Sequence, residues 1–194
     1  MSGARQLSHA LDGCHILLPV DRRSGELSTA LERHGAETTV APSLTITPHF
    51  DDAELLDATH RIIDDPPDIV IVTTGVGFRG WMDATEQDGC QEELLASLGS
   101  AQILVRGPKA RGAVQGVGLD IDWVAESETS AEITEFLLAE GVRDAKVVIQ
   151  HHGEGDPLME QILEDAGAEV SGLVIYRWGP PPDPDLVART TGLV

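Results

Sequence analysis

The apolar residues of the chain fall into short unbroken runs, separated by longer stretches in which they recur every three or four positions. The runs read as buried strands and the spaced stretches as amphipathic helices. His15 to Val20 is the first run, and Ser24 to His34 follows with Leu27 and Leu31 on one helical face, closed by Gly35. Thr38 to Ile46 is extended, and Asp51 to Ile63 is an amphipathic helix stopped by Asp64-Asp65-Pro66-Pro67. Ile69 to Thr73 is the clearest strand, followed by a glycine-rich turn and a helix around Trp81. Glu92 to Leu98 is helical, Gln102 to Val105 extended, and Pro108 opens a further helix at its first position. A short strand near Asp122 to Val124 precedes a helix from Ala131 to Glu140, introduced by the capping box Thr129-Ser130-Ala131-Glu132. Lys146 to Gln150 is a strand, Asp156-Pro157 begins a helix that ends at Ala166-Gly167, and Val170 to Trp178 is extended before the proline-rich stretch Pro180 to Pro184. This βαβα alternation predicts an α/β protein with parallel sheets flanked by helices.

A shift of 132 positions lays Leu31-Glu32 on Leu163-Glu164, Gly35-Ala36-Glu37 on Gly167-Ala168-Glu169, and Pro48 and Asp51 on Pro180 and Asp183. The matches sit at the same place in the same strand-helix-strand frame, which points to a duplicated unit. If the first unit runs from Ile16 past Trp123, its copy extends roughly 60 residues beyond Val194, so the second lobe is expected to be incomplete here.

Composition narrows the function. Lys and Arg number 13 against 33 Asp and Glu, a net charge of −20, with 41% hydrophobic and only 4% aromatic residues. The core is therefore aliphatic, and so acidic a chain is repelled by phosphate backbones and anionic membranes. The longest aliphatic run, Ile69 to Val72, is far short of the roughly 20 residues of a membrane span, and the expectation is a cytoplasmic protein. Cys14 and Cys90 have no CxxC spacing; without distant partners they build neither a disulfide framework nor a zinc site, and they read as reduced thiols.

The candidate chemistry lies where strands hand over to helices. Gly75-Val76-Gly77-Phe78-Arg79-Gly80 follows a strand and matches GxGxxG, the turn that brings backbone to a dinucleotide pyrophosphate. A nicotinamide site also wants an acidic residue about 20 positions further on, whereas the next strand ends in Arg106. A plain helix-opening turn competes with that reading. Arg106-Gly107-Pro108-Lys109, Glu128-Thr129-Ser130 and His152-Gly153-Glu154-Gly155 are further strand-to-helix loops whose free N–H groups suit anionic ligands, carboxylates included. Arg22, Arg23, Arg79, Arg106, Lys109 and Arg111 concentrate in these loops, as solubilising charge or as a local basic pocket. His151-His152 with Glu154 and Asp156 is a poor metal site, since adjacent strand residues face opposite ways, and a solvated loop is the plainer reading. Tyr176, the one tyrosine, either packs at a linker or faces a cleft, where its hydroxyl would donate to a leaving group. No set of residues offers covalent catalysis.

Thr73-Thr74-Gly75-Val76-Gly77, Arg106-Gly107-Pro108-Lys109-Ala110, Glu128-Thr129-Ser130, and Val174-Ile175-Tyr176 after Gly167-Ala168 together resemble the uroporphyrinogen-III synthase family. The resemblance implies two α/β lobes with parallel sheets flanked by helices, joined by a two-strand linker, the first lobe being built from both chain ends. It assigns residues 1–43 and 174–194 to that first lobe, one part of which is missing, and Leu44 to Leu173 to a complete second lobe. The implied reaction cyclises hydroxymethylbilane, a linear tetrapyrrole with eight carboxylates, with inversion of ring D and loss of water. It needs no metal or cofactor. By matched position, Arg22, Arg23, Thr74, Gly75, Lys109, Thr129, Ser130 and Gly153 would bind substrate, and Tyr176 would assist departure of the hydroxyl. A different expectation is a tetrapyrrole-sensing domain of a transcriptional regulator, which binds without turnover. A homodimer that completes the truncated lobe is a further expectation.

Overall fold

The run Ile69-Val70-Ile71-Val72 has no polar residue to turn toward water, so it has to be covered on both faces. In the computed structural model, which describes residues 6–48, 53–153 and 155–192, this run is the central strand β4 (Ile69–Val72). It pairs in parallel with β5 (Gln102–Val105) on one side and β7 (Lys146–Gln150) on the other. Strands β6 (Trp123–Val124) and β8 (Glu169–Leu173) complete a five-stranded parallel sheet of order β6-β5-β4-β7-β8. In register, Ile71 stands between Leu104 and Ile149.

One face of this sheet meets α6 (Ser130–Glu140) and α7 (Pro157–Asp165), whose Ile133, Leu137, Met159 and Leu163 join Ile69, Ile71, Leu104 and Ile149 in one buried cluster. Alternate strand residues point the other way. The helices α2 (Ala53–Asp64), α3 (Gly75–Asp88), α4 (Gln91–Leu98) and α5 (Pro108–Gly116) pack on one another and contribute nothing to that cluster. They bring Phe78, Trp81, Leu94 and Leu98, all at most 1% exposed. The indole of Trp81 donates to Thr59 Oγ1 at 2.9 Å, which satisfies its one polar atom inside the core.

The chain divides into two compact units, one holding residues up to Thr47 and from Trp178 onward, the other Pro48 to Arg177. The first has the parallel pair β1 (His15–Leu18) and β2 (Glu37–Val40), with α1 (Ser24–Glu32) and α8 (Pro184–Thr191). Leu18, Ala36, Ala41 and Thr190 are its buried residues among those described. A short two-stranded sheet of β3 (Thr45–Pro48) and β9 (Tyr176–Gly179) carries the chain out of one unit and back into it.

The duplication is visible in the elements. The series β1, α1, β2, β3, α2 recurs as β7, α7, β8, β9, α8. Its sharpest mark is the helix exit. Gly35 and Gly167 both have φ of 99°, a left-handed conformation natural to glycine. Gly35 N donates to Glu32 O at 3.0 Å and Gly167 N to Glu164 O at 2.9 Å; Ala36 N reaches Leu31 O and Ala168 N reaches Leu163 O.

Several local expectations are corrected. The GxGxxG segment is no turn: Thr74 Oγ1 accepts from Gly77 N at 3.1 Å and caps α3, so Gly75 already begins the helix. Thr38 to Ile46 breaks at 41–44 into strands of two different sheets, as Val170 to Trp178 does at 174–175. The proline-rich stretch ends in α8, capped by Asp183, whose Oδ1 accepts from Leu186 N at 2.8 Å. Asp183-Pro184 is the same signal as Asp156-Pro157, hidden by the prolines around it. Leu27 does not face a core: it is 43% exposed, and α1 buries no residue. The capping box closes by half, since Thr129 accepts from Glu132 N while the Glu132 carboxylate reaches back to Ser127 N and Glu126 N. The expected helix start at Asp51, and Glu154 in its loop, lie outside the described residues.

Candidate functional site

In the second unit the first strand in sequence, β4, lies beside the fourth, β7, and chain connections leave this pair in opposite directions along the sheet. Such a switch point opens a crevice beyond the carboxyl ends of the strands, the usual ligand position in open parallel sheets. At and just beyond the carboxyl ends of β4 and β7 lie Thr73, Thr74, Gln150 and His151, all buried and hydrogen-bonded. Thr73 Oγ1 donates to Gln150 O at 2.7 Å, and Thr74 N donates to Gln150 Oε1 at 3.2 Å. The Gln150 amide in turn donates to His151 O. This network ties the amino end of α3 to the end of β7 and leaves no slack at the floor of the crevice.

Glycines let the rim close up. A Cβ on Gly75 would penetrate Lys109 O and lie 2.7 Å from Lys109 C, so the first turns of α3 and α5 touch through backbone. A Cβ on Gly77 would penetrate the Gln150 amide and lie 2.8 Å from both Gln150 Cδ and Thr74 Oγ1. The two glycines serve this packing of helix on helix and helix on strand end. Around them stand the amino ends of α3, α5, α6 and α7, each following a strand or loop at the same edge of the sheet. Their free N–H groups and dipoles favour negative charge. The Glu128 backbone is left-handed (φ 57°), and its carboxylate lies over Gly107, the residue that opens α5. Carboxylates of the protein itself thus stand beside two of these helix ends, Glu128 at α5 and, at α7, Asp156, whose Oδ1 accepts from Met159 N at 3.2 Å.

At the β7 side of the crevice the His152 ring meets Tyr176 edge to face, with centroids 6.0 Å apart. Tyr176 is buried, 4% exposed, while solvent reaches His152. Partial desolvation, and then the positive charge of Arg106, hold the His152 imidazole below its ordinary pKa, so it is neutral near pH 7. A histidine depressed on folding favours the fold above its unfolded pKa and opposes it as pH falls below that value. We expect the His152 ring resonances, followed by NMR, to titrate below 6.5, and Arg106→Gln to move that midpoint upward. An unchanged midpoint in Arg106→Gln would remove Arg106 from the account.

Of the residues anticipated as substrate contacts, Thr74, Gly75, Lys109, Thr129, Ser130 and Gly153 lie at this carboxyl edge of the second unit, as does Tyr176. Lys109 and Thr129 are exposed; Thr74, Gly75 and Gly153 are buried. The hydroxyls of Thr74 and Thr129 are engaged as helix caps. Arg22 and Arg23 belong to the first unit; Arg23 has a left-handed backbone before α1 and binds Glu26 at 2.6 Å. His151 is no part of a solvated loop: it is 1% exposed, paired with Glu160, and its Nδ1 lacks a partner. Gln150 escaped sequence reasoning, although one polar residue ending the aliphatic strand Val147-Val148-Ile149 was the available signal. A separate groove of about 470 Å³, lined by Arg61, Asp65, Lys146 and Glu169 among others, reaches the amino ends of β7 and β8, where no helix amino end converges among the described residues.

A family model described as uroporphyrinogen-III synthase HemD matches residues 25–191. The uncharacterized protein YjjA of Bacillus subtilis (strain 168) is 26% identical over 175 residues, 90% of this chain. The chain spans 64% of that relative's length. Two solved structures of uroporphyrinogen III synthase from the extremely thermophilic bacterium Thermus thermophilus share the fold. A mutant form gives a TM-score of 0.74 at 25% identity over 92% of this chain and 67% of its own. The wild type gives 0.67 at 26% identity over 93% and 67%.

Proposed function

Because this chain belongs to the uroporphyrinogen-III synthase family, we propose that it cyclises hydroxymethylbilane to uroporphyrinogen III, inverting ring D and releasing water. The observation that carries the reading is the gathering of Arg106, Lys109 and four helix amino ends at one sheet edge in a chain of net charge −20. A polycarboxylate is what such an edge selects, and a Debye length of roughly 8 Å at physiological salt mutes the distant acids.

The chemistry asks little of side chains. The pyrrole nitrogen of ring A expels the terminal hydroxyl, which leaves as water once protonated, and the azafulvene that remains is attacked by ring D. Attack through the substituted carbon gives a spiro intermediate, whose rearrangement inverts the ring. The protein's part is to hold both ends of the tetrapyrrole in that geometry and keep water from the intermediate. Backbone N–H groups at Gly75, Lys109, Ser130 and Gly153 would bind acetate and propionate arms. The Tyr176 hydroxyl would give its proton to the departing oxygen, with neutral His152 fixing the ring's position.

The test is incubation of the chain with freshly generated hydroxymethylbilane, followed by quantification of the type I and type III isomers against a protein-free control. Type III above control is expected. Tyr176→Phe is expected to lower the type III rate about tenfold to a hundredfold with binding retained, a modest general-acid effect because the hydroxyl also leaves unaided. Type I alone with tight tetrapyrrole binding would favour a sensing domain, and type I alone without binding would end both readings.

A further inference from the structure

Asp88 lies two residues before Cys90, and folding brings a histidine to the pair from 30 residues away. His60 on α2, Asp88 at the end of α3 and Cys90 before α4 place one ligand atom each within 4.8 Å of one another. His60 Nε2 already lies 3.0 Å from Asp88 Oδ2. We propose that His60, Asp88 and Cys90 form a binding site for a borderline divalent transition metal, zinc above all, that clips α2 to the corner between α3 and α4.

Three features single out this cluster. It combines nitrogen, oxygen and sulfur donors, the mixture that suits zinc and excludes magnesium or calcium, which take oxygen alone. Bond lengths of about 2.0–2.3 Å at tetrahedral angles put donors roughly 3.5 Å apart, so small side-chain rotations close the site. Cys90 also occupies the cap position of α4, where serine, threonine or aspartate is usual, and its side chain makes no capping bond. Cys90 is buried, 8% exposed, yet it lies beside the His60 and Asp88 side chains, which are 50% and 28% exposed and offer an entry path.

Burial, and then the neighbouring Asp88 carboxylate, push the Cys90 thiol up to about 11, so without a cation it stays protonated and inert. The entering ion reverses this. The Sγ–H bond breaks, its proton passes to solvent, and the thiolate pair binds the metal; His60 gives its Nε2 lone pair and Asp88 one oxygen. Water takes the fourth position. The site lies at the carboxyl end of α3 and the crevice at its amino end, so metal binding is measured without reference to the reaction proposed above.

Cobalt(II) is the probe, because a bound thiolate gives a near-ultraviolet charge-transfer band and tetrahedral cobalt gives intense visible bands. Titration of the reduced, metal-free chain is expected to show both, saturating at about one equivalent and bleached by zinc. Cys14→Ser, which alters the exposed thiol of the other unit, is expected to leave the bands intact. Cys90→Ser removes the charge-transfer band, and His60→Gln, at an exposed position that does not threaten folding, weakens binding at least about tenfold. Far-ultraviolet circular dichroism checks each variant. Absence of the charge-transfer band in the parent chain, its persistence in Cys90→Ser, or full affinity in His60→Gln would each overturn the site.

Discussion

Gly75→Ala is expected to destabilise the second unit by about 3 kcal/mol, the upper end of what overpacking costs, because the added methyl meets main chain and not a flexible side chain. Its Cβ would overlap Lys109 O and lie 2.7 Å from Lys109 C. Lys109 cannot step aside alone, since Pro108 fixes the first turn of α5 and Arg111 N holds Gly107 O at 2.9 Å. Either α3 or α5 must shift as a body, and both carry buried side chains on the sheet. Gly112→Ala supplies the contrast. Gly112 is exposed within α5 with nothing within 4 Å of a new Cβ, so there the alanine stabilises by about 0.5–1 kcal/mol through helix propensity. Thermal melts should separate the two variants by roughly 10 °C. Coincident melting curves would show that α3 and α5 do not touch through their main chains.

The second large effect is a coupling. Gly77→Ala drives a methyl into the Gln150 amide, and Gln150, wholly buried, is held by Thr74 and His151. Gln150→Ala alone leaves Thr74 N–H and His151 C=O short of partners, which costs about 1–3 kcal/mol. The same truncation vacates the space that the methyl needs. In the double variant the cost of Gly77→Ala is expected to fall by at least about 1 kcal/mol, a departure from additivity that urea unfolding of the four proteins measures. Strict additivity would mean that Gly77 and Gln150 do not meet. Because this contact fixes where α3 begins, the double variant also reports on the site: restored stability without restored ligand affinity would show that Gln150 orients the crevice floor.

Much of this architecture was legible in the chain, and the reasons are local. The strand Ile69–Val72 announces itself because a four-residue aliphatic run has no other fate, and Gly35 and Gly167 mark helix exits because a left-handed turn there suits glycine. The family resemblance rests on the strand-to-helix loops, whose order along the chain survives folding. What was illegible depends on partners far apart in sequence. GxGxxG looks like a phosphate turn until Lys109 and Gln150, 34 and 73 residues away from Gly75 and Gly77, explain its glycines by packing. Thr38 to Ile46 reads as one strand because extended residues look alike whether they pair with β1 or with β9. Leu27 sits on a correct helical stripe, but it is itself exposed while Leu31 on the same stripe is partly buried, and periodicity says where a face lies and never what meets it.

The pairing of β3 with β9 bears on how the chain finds its shape. The first unit is written in two pieces, and the segment from Pro48 to Arg177 intervenes between them. Closing a flexible loop of that length would cost about 4 kcal/mol in chain entropy. A folded insert whose two ends already run side by side removes nearly all of that penalty, because α8 is then tethered next to the strands it must join. Once the inserted segment has assembled on its own contacts, the outer pieces therefore behave, in entropic terms, as one continuous chain.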